Sequence, residues 1–129
     1  MKSPKSLLFL IALFSIFITS CKEDETLKIP DYASAIAGVY NGNITIGTIS
    51  APSSTTVTKN TEVLVDLSFL IGTTVVPLNL VTVTEKGNNS YTLSYGGLTV
   101  GSFVGEVHGN TLTWTLVFND QTQVFTGTK

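Results

Sequence analysis

The sequence has one Cys, one His and no Arg among its 129 residues. A single Cys excludes an intramolecular disulfide and any zinc site built from several thiolates. A single His excludes a multi-His metal site and most nucleophiles that depend on a His partner. The net charge of −2, carried without Arg, does not provide the positive surface that nucleic acid requires. The composition therefore gives no reason to expect a cofactor, a metal or a nucleic-acid partner.

The first twenty residues have the pattern of a targeting segment. Lys2 and Lys5 precede an apolar run over residues 7–18, LLFLIALFSIFI. Twelve helical residues rise about 18 Å, which is too short for a hydrocarbon core of about 30 Å. A basic start, a short apolar run and small residues after it predict a secretory signal peptide over residues 1–20.

The apolar run ends in Ile18-Thr19-Ser20-Cys21. This stretch resembles the bacterial lipobox, in which an aliphatic residue and two small residues precede a Cys. The resemblance implies that Cys21 is lipidated and that the chain is cut before it. Two or three acyl chains anchor a protein stably, whereas one gives marginal binding. We therefore expect a membrane partner through an N-terminal lipid anchor.

A basic residue and three acidic ones follow the Cys directly: Lys22, Glu23, Asp24 and Glu25. This run is similar to the lipoprotein export signal of Bacteroidota. The resemblance implies an outer-membrane lipoprotein exposed on the cell surface. No helical or strand period continues to residue 34, so residues 21–34 are predicted to be a flexible acidic tether.

Residues 35–129 are rich in Thr, Val, Ile and Leu and show the period-2 alternation of half-buried strands. Leu112, Trp114, Leu116 and Phe118, for example, alternate with Thr side chains. Pro52, Gly72, Gly109 and the Asn88-Asn89 and Asn119-Asp120 pairs mark breaks or turns. Whether residues 55–71 form one bent strand or two is left open. Strands are predicted near residues 37–49, 55–60, 62–71, 74–85, 90–95, 98–107, 111–118 and 121–128.

The short connections predict an antiparallel meander, because a parallel crossover needs about a dozen residues or more. A meander protects its edges by closing into a barrel or by stacking as two sheets. We expect a small all-β, up-and-down barrel of seven or eight strands. The alternative is a β-sandwich, in which residues 50–61 would supply the long connection.

The stretch from Ile36 to Ile46, IAGVYNGNITI, and the closing Phe125-Thr126-Gly127-Thr128 resemble the first and last strands of calycin-like, lipocalin-like domains in Bacteroidota lipoproteins. Gly38-Val39-Tyr40 stands where classical lipocalins have Gly-x-Trp. The resemblance implies an eight-stranded barrel. Such a barrel has room for side chains or for one small ligand.

Large aromatic side chains on the apolar strand faces are the candidate cavity lining, since inward side chains form the core and would also line any cavity. The candidates are Tyr40, Phe69, Tyr91, Tyr95, Trp114 and Phe118. The function favoured is a non-enzymatic binding module for a small hydrophobic or amphipathic ligand. The alternative is an accessory protein with a filled barrel, which binds an envelope protein or glycan through loops or a strand edge.

Two pairs of titratable side chains are candidates for catalytic groups. Glu106 and His108 would share one strand face, as would Glu62 and Asp66. Neither pair has an identifiable nucleophile beside it, and the chain has no Gly-x-Ser-x-Gly or phosphate-loop motif. We interpret both pairs as surface polar groups and expect no enzymatic activity. The polar segment over residues 50–60 is interpreted as a solvated loop.

Overall fold

The computed structural model describes residues 29–98 and 101–129. The predicted signal peptide, the lipidation site Cys21 and the export signal Lys22–Glu25 lie outside the described residues. A short helix precedes eight strands. Their bounds are α1 Tyr32–Ile36, β1 Gly38–Ile46, β2 Ile49–Lys59, β3 Leu64–Ile71, β4 Thr74–Gly87, β5 Ser90–Tyr95, β6 Ser102–His108, β7 Thr111–Phe118 and β8 Gln121–Thr128.

The eight strands form a closed antiparallel barrel in sequence order. Each strand pairs with the next along the chain, and β1 pairs with β8 from Asn41 opposite Thr128 to Ile46 opposite Gln123. This last pairing, called the seam below, closes the ring, so that every strand pairs with a neighbour on each side over at least part of its length. The predicted up-and-down barrel is confirmed, and the alternative sandwich is excluded.

Two tight turns show why the predicted hairpins form where they do. Asn88 and Asn89 have φ of 54° and 56°, and Asn119 and Asp120 have φ of 49° and 59°. Successive left-handed residues are typical of type I′ turns, whose twist matches that of the flanking strands. A third turn was not predicted. Gly47, at φ 62°, ends β1 at Ile46 rather than at residue 49.

The predicted loop over residues 50–60 is wrong, because β2 runs unbroken through Pro52. Pro52 lies opposite Asn43 of β1, whereas the pairing of β2 with β3 begins only at Thr55. Pro lacks an N–H, so it is tolerated where one side of a strand has no ladder partner. The backbone N–H groups of Asn60 and Thr61 both donate to the Leu64 carbonyl, at 2.9 and 3.0 Å. This turn divides residues 55–71 into two strands.

Helix α1 covers one end of the barrel, which we call the closed end. Asp31 caps the helix by accepting from the Ser34 N–H at 3.0 Å. Ala33 and Ile36 are fully buried, because the helix presses them onto the barrel interior. The structure therefore differs from the predicted tether at residues 32–34, which belong to a packed helix.

Tyr40 and Lys129 hold α1 in place from the barrel side. The buried Tyr40 hydroxyl donates to the Ile36 carbonyl at 2.8 Å, and burial raises the pKa of Tyr40 to about 12. The Lys129 ammonium donates to the carbonyls of Ala35 and Ala37, at 3.2 and 3.0 Å. It also lies 5.4 Å from the centre of the Tyr40 ring, within cation–π range. The helix is thus held by the first strand, through Tyr40, and by Lys129, which follows the last strand.

Aromatic rings fill the middle of the barrel around Trp114. Its ring centre lies 4.5 Å from that of Phe69, 6.1 Å from that of Phe103 and 5.6 Å from that of Phe125. The indole N–H donates to the Thr55 hydroxyl at 2.9 Å, so the one polar atom of Trp114 is paired. Ring contacts at these distances leave a packed middle rather than a continuous channel.

The seam brings β1 and β8 unusually close at Gly42. A Cβ atom built at Gly42 would lie 1.9 Å from the Thr126 carbonyl oxygen. Such an approach is impossible for any residue with a side chain unless the backbone moves. Gly42 is therefore needed for the barrel to close in this register.

Candidate ligand-binding site

The end of the barrel opposite α1 has no helix over it, and we call it the mouth. It is bounded by turns 47–48, 72–73 and 119–120 and by the connection that follows Tyr95. A partly open cavity of about 360 Å³ lies there. It is lined by Ile71, Val76, Pro77, Leu78, Tyr95, Leu98, Leu116, Phe118 and Gln123.

The lining is apolar apart from the phenol of Tyr95 and the amide of Gln123. Small-molecule pockets in proteins span about 300–1,000 Å³ and are mostly apolar with a few polar groups. The mouth cavity falls at the small end of this range. Leu116 belongs to its lining and is one inward-facing position along β7 from the fully buried Trp114, so the cavity ends close to the packed middle. The cavity therefore suits a small, largely apolar molecule or part of a larger one.

Of the six aromatic residues predicted to line a cavity, Tyr95 and Phe118 border the mouth cavity. Tyr95 is half-buried and Phe118 is 44% exposed. Phe118 has the inward phase of β7, as predicted, but it is the last residue of that strand. Phe118 is therefore at the barrel end opposite α1, where no described residues form a helix over the interior. Phe118 consequently lies at the rim rather than inside.

The other four aromatic residues do not line the mouth cavity. Tyr40, Phe69 and Trp114 are fully buried in the packed interior, and Trp114 also borders a groove of about 190 Å³ along β6 and β7. Tyr91 lies at the closed end, where its ring centre is 6.0 Å from that of Tyr32 of α1. The interior is narrow enough for these rings to fill it, which is why they form core instead of a cavity wall.

Gln123 is the site residue that sequence reasoning missed. It lies on β8 in the same inward phase as Phe125 and Gly127. Its amide oxygen is buried, and no described residue hydrogen-bonds to it. A polar residue that continues the inward face of a strand is the signal that would have identified it.

The carboxylates considered as catalytic groups lie on the outer surface near the closed end. Glu106 accepts from Lys86 at 2.8 Å, and this ion pair lowers the pKa of the Glu106 carboxyl. His108 is hydrogen-bonded to the Ser90 hydroxyl across the strand pair. The predicted pairing of Glu62 with Asp66 on one strand face is wrong, because Glu62 lies in the turn before β3. None of these four side chains reaches the mouth.

Neither a cluster of metal-binding side chains nor a membrane-spanning helix is found in the described ranges. Within residues 29–98 and 101–129, no three or more His, Cys, Asp or Glu side chains are grouped so that they could hold a metal ion. In the same ranges, the helical content includes no segment that is long and apolar enough to traverse a bilayer.

Comparison with known proteins supports the fold alone. No family model matches the chain, and no curated protein matches it. A crystal structure of a "putative outer membrane protein" from Bacteroides fragilis is similar, with a TM-score of 0.62 and 15% sequence identity. The match covers 79% of this chain and 54% of that one, so this chain spans about half the length of its structural neighbour. The shared feature is the antiparallel β-barrel architecture.

Proposed function

We propose that this chain is a lipid-anchored envelope protein that binds a small hydrophobic or amphipathic molecule in the mouth of its barrel and does not transform it. The observation that carries the proposal is the apolar cavity of about 360 Å³ at an uncovered barrel end. Phe118 leaves 44% of its surface exposed there. A ligand that covered this ring and filled the cavity would gain the free energy of removing apolar surface from water.

The envelope location rests on two supports. The first is the sequence around Cys21, which resembles a lipobox followed by an acidic export signal. The second is the description of the similar Bacteroides fragilis structure as a "putative outer membrane protein". Together they favour an outer-membrane lipoprotein displayed at the cell surface. The calycin-like resemblance of the first and last strands agrees with this proposal.

The proposed anchor and the proposed site lie at opposite ends of the domain. The chain reaches the barrel through Asp31 and α1, at the closed end. The mouth is the other end, so the proposed anchor is attached where α1 covers the barrel and leaves the mouth unobstructed.

The anchor is tested by labelling growing cells with an alkyne analogue of palmitate. We expect the wild-type protein to carry the label in the outer-membrane fraction and the Cys21→Ser variant to lose it. Ser3→Ala, which changes a residue near the chain start but spares the lipobox, is the control. Label that persists in the Cys21→Ser variant would contradict lipidation at this residue.

Ligand binding is tested with N-phenylnaphthylamine, an uncharged dye that fluoresces in apolar sites. The protein is freed from its anchor by limited trypsin cleavage after Lys28, which keeps all eight strands. We expect saturable binding that weakens about tenfold in Val76→Ser and Phe118→Ser, since each loses apolar contact of about 1.4 kcal/mol. Val104→Ser is the matched control, because Val104 is 53% exposed on the outer face and does not line the mouth cavity.

The alternative function, an accessory protein that presents an outer surface, is favoured by one specific observation. Val104 and Val124 are exposed on either side of Thr115 on three adjacent strands, and the barrel middle beneath them is filled. This outer row could contact an envelope protein. Absence of dye binding, together with a cross-linked envelope partner that Val104→Ser abolishes, would favour the accessory role over the carrier role.

A further inference from the structure

The barrel half that contains the mouth is nearly free of charge. We define the mouth half as the described residues within 46–56, 67–79, 94–104 and 115–124. Among them Asp120 is the one charged side chain, and it is exposed in the turn between β7 and β8. The remaining charged residues from Asp31 onward lie in the half nearer α1. No described cation is therefore available at the mouth to pair with an acidic ligand.

This distribution acts as a filter on the charge of a ligand. Moving an ionised carboxylate or ammonium from water into an apolar cavity is costly unless a partner of opposite charge receives it. The cavity lining supplies no such partner. Asp120 is outside the cavity, and its negative charge further disfavours anions at the rim. An uncharged molecule avoids this desolvation cost.

Gln123 adds a polar requirement to the apolar one. It lines the cavity from β8, where it lies opposite Leu116 on one side and Ile46 on the other. Two other polar groups lie nearby: the Ser53 hydroxyl, which already donates to the Leu70 carbonyl, and the Tyr95 phenol, which lines the same cavity. The buried Gln123 oxygen has no partner among the described residues. An unpaired buried carbonyl oxygen is costly, and a ligand hydroxyl that reached the Gln123 amide would pair with it.

We propose that the mouth selects an uncharged amphipathic ligand, a long-chain alcohol or neutral glyceride, whose hydroxyl group hydrogen-bonds to the amide of Gln123. This inference rests on the binding function proposed above and specifies its ligand class. It predicts that fatty acids and amines of the same chain length are rejected. The selectivity comes from the absence of a counter-charge together with one buried, unpaired amide.

The experiment compares decanol, decanoate, decylamine and decane as competitors of N-phenylnaphthylamine at neutral pH. They share one apolar chain and differ in their terminal group. In the wild-type protein we expect decanol to displace the dye at about tenfold lower concentration than either ionised competitor. We also expect decanol to displace it at about threefold to tenfold lower concentration than decane, because a net hydrogen bond has about that effect.

Two variants separate the contribution of the Gln123 amide to decanol binding from that of the apolar lining. In Gln123→Leu, decanol should lose its advantage over decane while the ionised competitors remain weak. The melting temperature of this variant should equal or exceed that of the wild type, since an unpaired buried amide is removed. Gln121→Leu, on the same strand but exposed, should keep the wild-type order.

The possible outcomes distinguish a wrong ligand class from the absence of any binding site at the mouth. Decanoate that binds as tightly as decanol, or an alcohol preference that persists in Gln123→Leu, would overturn the ligand class and leave the mouth site standing. If neither the dye nor any competitor binds the wild-type protein, both proposals are wrong.

Discussion

The two ends of the barrel are built from the same eight strands and yet differ in cover, charge and packing. At the closed end α1 buries Ile36 and Ala33 completely, and the Asp31–Lys59 ion pair, at 2.6 Å, lies on its surface. At the mouth no described helix covers the interior, Phe118 is 44% exposed and one charged side chain is present. Alternation within the strands does not create the difference in cover, which comes from α1. The difference in charge lies largely within the strands, at residues such as Lys59, Lys86 and Glu106.

Stability and the proposed binding therefore depend on different parts of the molecule. At the closed end and in the aromatic middle, the polar atoms of the two large buried side chains are paired, as the Trp114–Thr55 and Tyr40–Ile36 hydrogen bonds show. The mouth keeps apolar surface and one amide unsatisfied, which costs stability in the free protein. Sites that bind ligands are commonly drawn from the less stable parts of a fold.

The largest effect is expected at the aromatic middle, which both ends share. Trp114→Ala should lower the free energy of unfolding by about 3–5 kcal/mol, because it leaves a cavity among Phe69, Phe103 and Phe125. Trp114→Phe is the control, since it keeps an aromatic ring and loses the hydrogen bond to Thr55. Urea unfolding measures both. A loss below about 1 kcal/mol in Trp114→Ala would show that the middle is not packed as described.

Shortening one large apolar side chain at each end of the barrel tests whether the closed end is covered and the mouth is not. Ile36→Ala should cost about 2–5 kcal/mol, because Ile36 is fully buried under α1. Phe118→Ala removes a larger side chain but should cost no more than about 1 kcal/mol, because much of the ring is already in water. Equal losses in the two variants, measured by urea unfolding without ligand, would mean that the mouth is covered in solution.

The smallest effect is expected from acid at the closed end. The hydrogen bond from Lys59, with those from Ser34, lowers the pKa of Asp31 from 3.8 to about 2. The folded pKa lies below the unfolded one, so the carboxylate stabilises the fold above pH 3.8 and loses this effect as the pH falls through about 2. Asp31→Asn, which retains a capping oxygen, should unfold slightly more easily than wild type near neutral pH and equally near pH 2. A difference that is independent of pH would assign the role of Asp31 to capping alone.

Much of the fold followed from the sequence because period-2 alternation and turn chemistry are local signals. The left-handed Asn88-Asn89 and Asn119-Asp120 turns were recognisable for this reason. Helix α1 was missed because five residues cannot display a helical period. Strand β2 was missed at Pro52 because its tolerance depends on β3, which begins to pair only at Thr55.

The candidate site was harder to predict than the fold. Alternation shows which face a residue takes but not how far along the barrel axis it lies. Trp114 and Phe118 share a face and differ from 1% to 44% exposure, since one lies mid-strand and the other at the rim. Gln123 was harder still to predict as a site residue, because a single inward polar residue can be recognised as part of a site only once the cavity that it lines is known.

The seam between β1 and β8 has a kinetic consequence. Seven strand pairs join neighbours along the chain and can form as hairpins within microseconds. The seam joins the first strand to the last, and closing a loop of that length costs on the order of 4 kcal/mol in chain entropy before its hydrogen bonds form. We expect the seam, with Gly42 at its tightest approach, to form late in folding and to open first in unfolding. The pairing that closes the native sheet into a ring is then also the step that sets how fast the barrel forms.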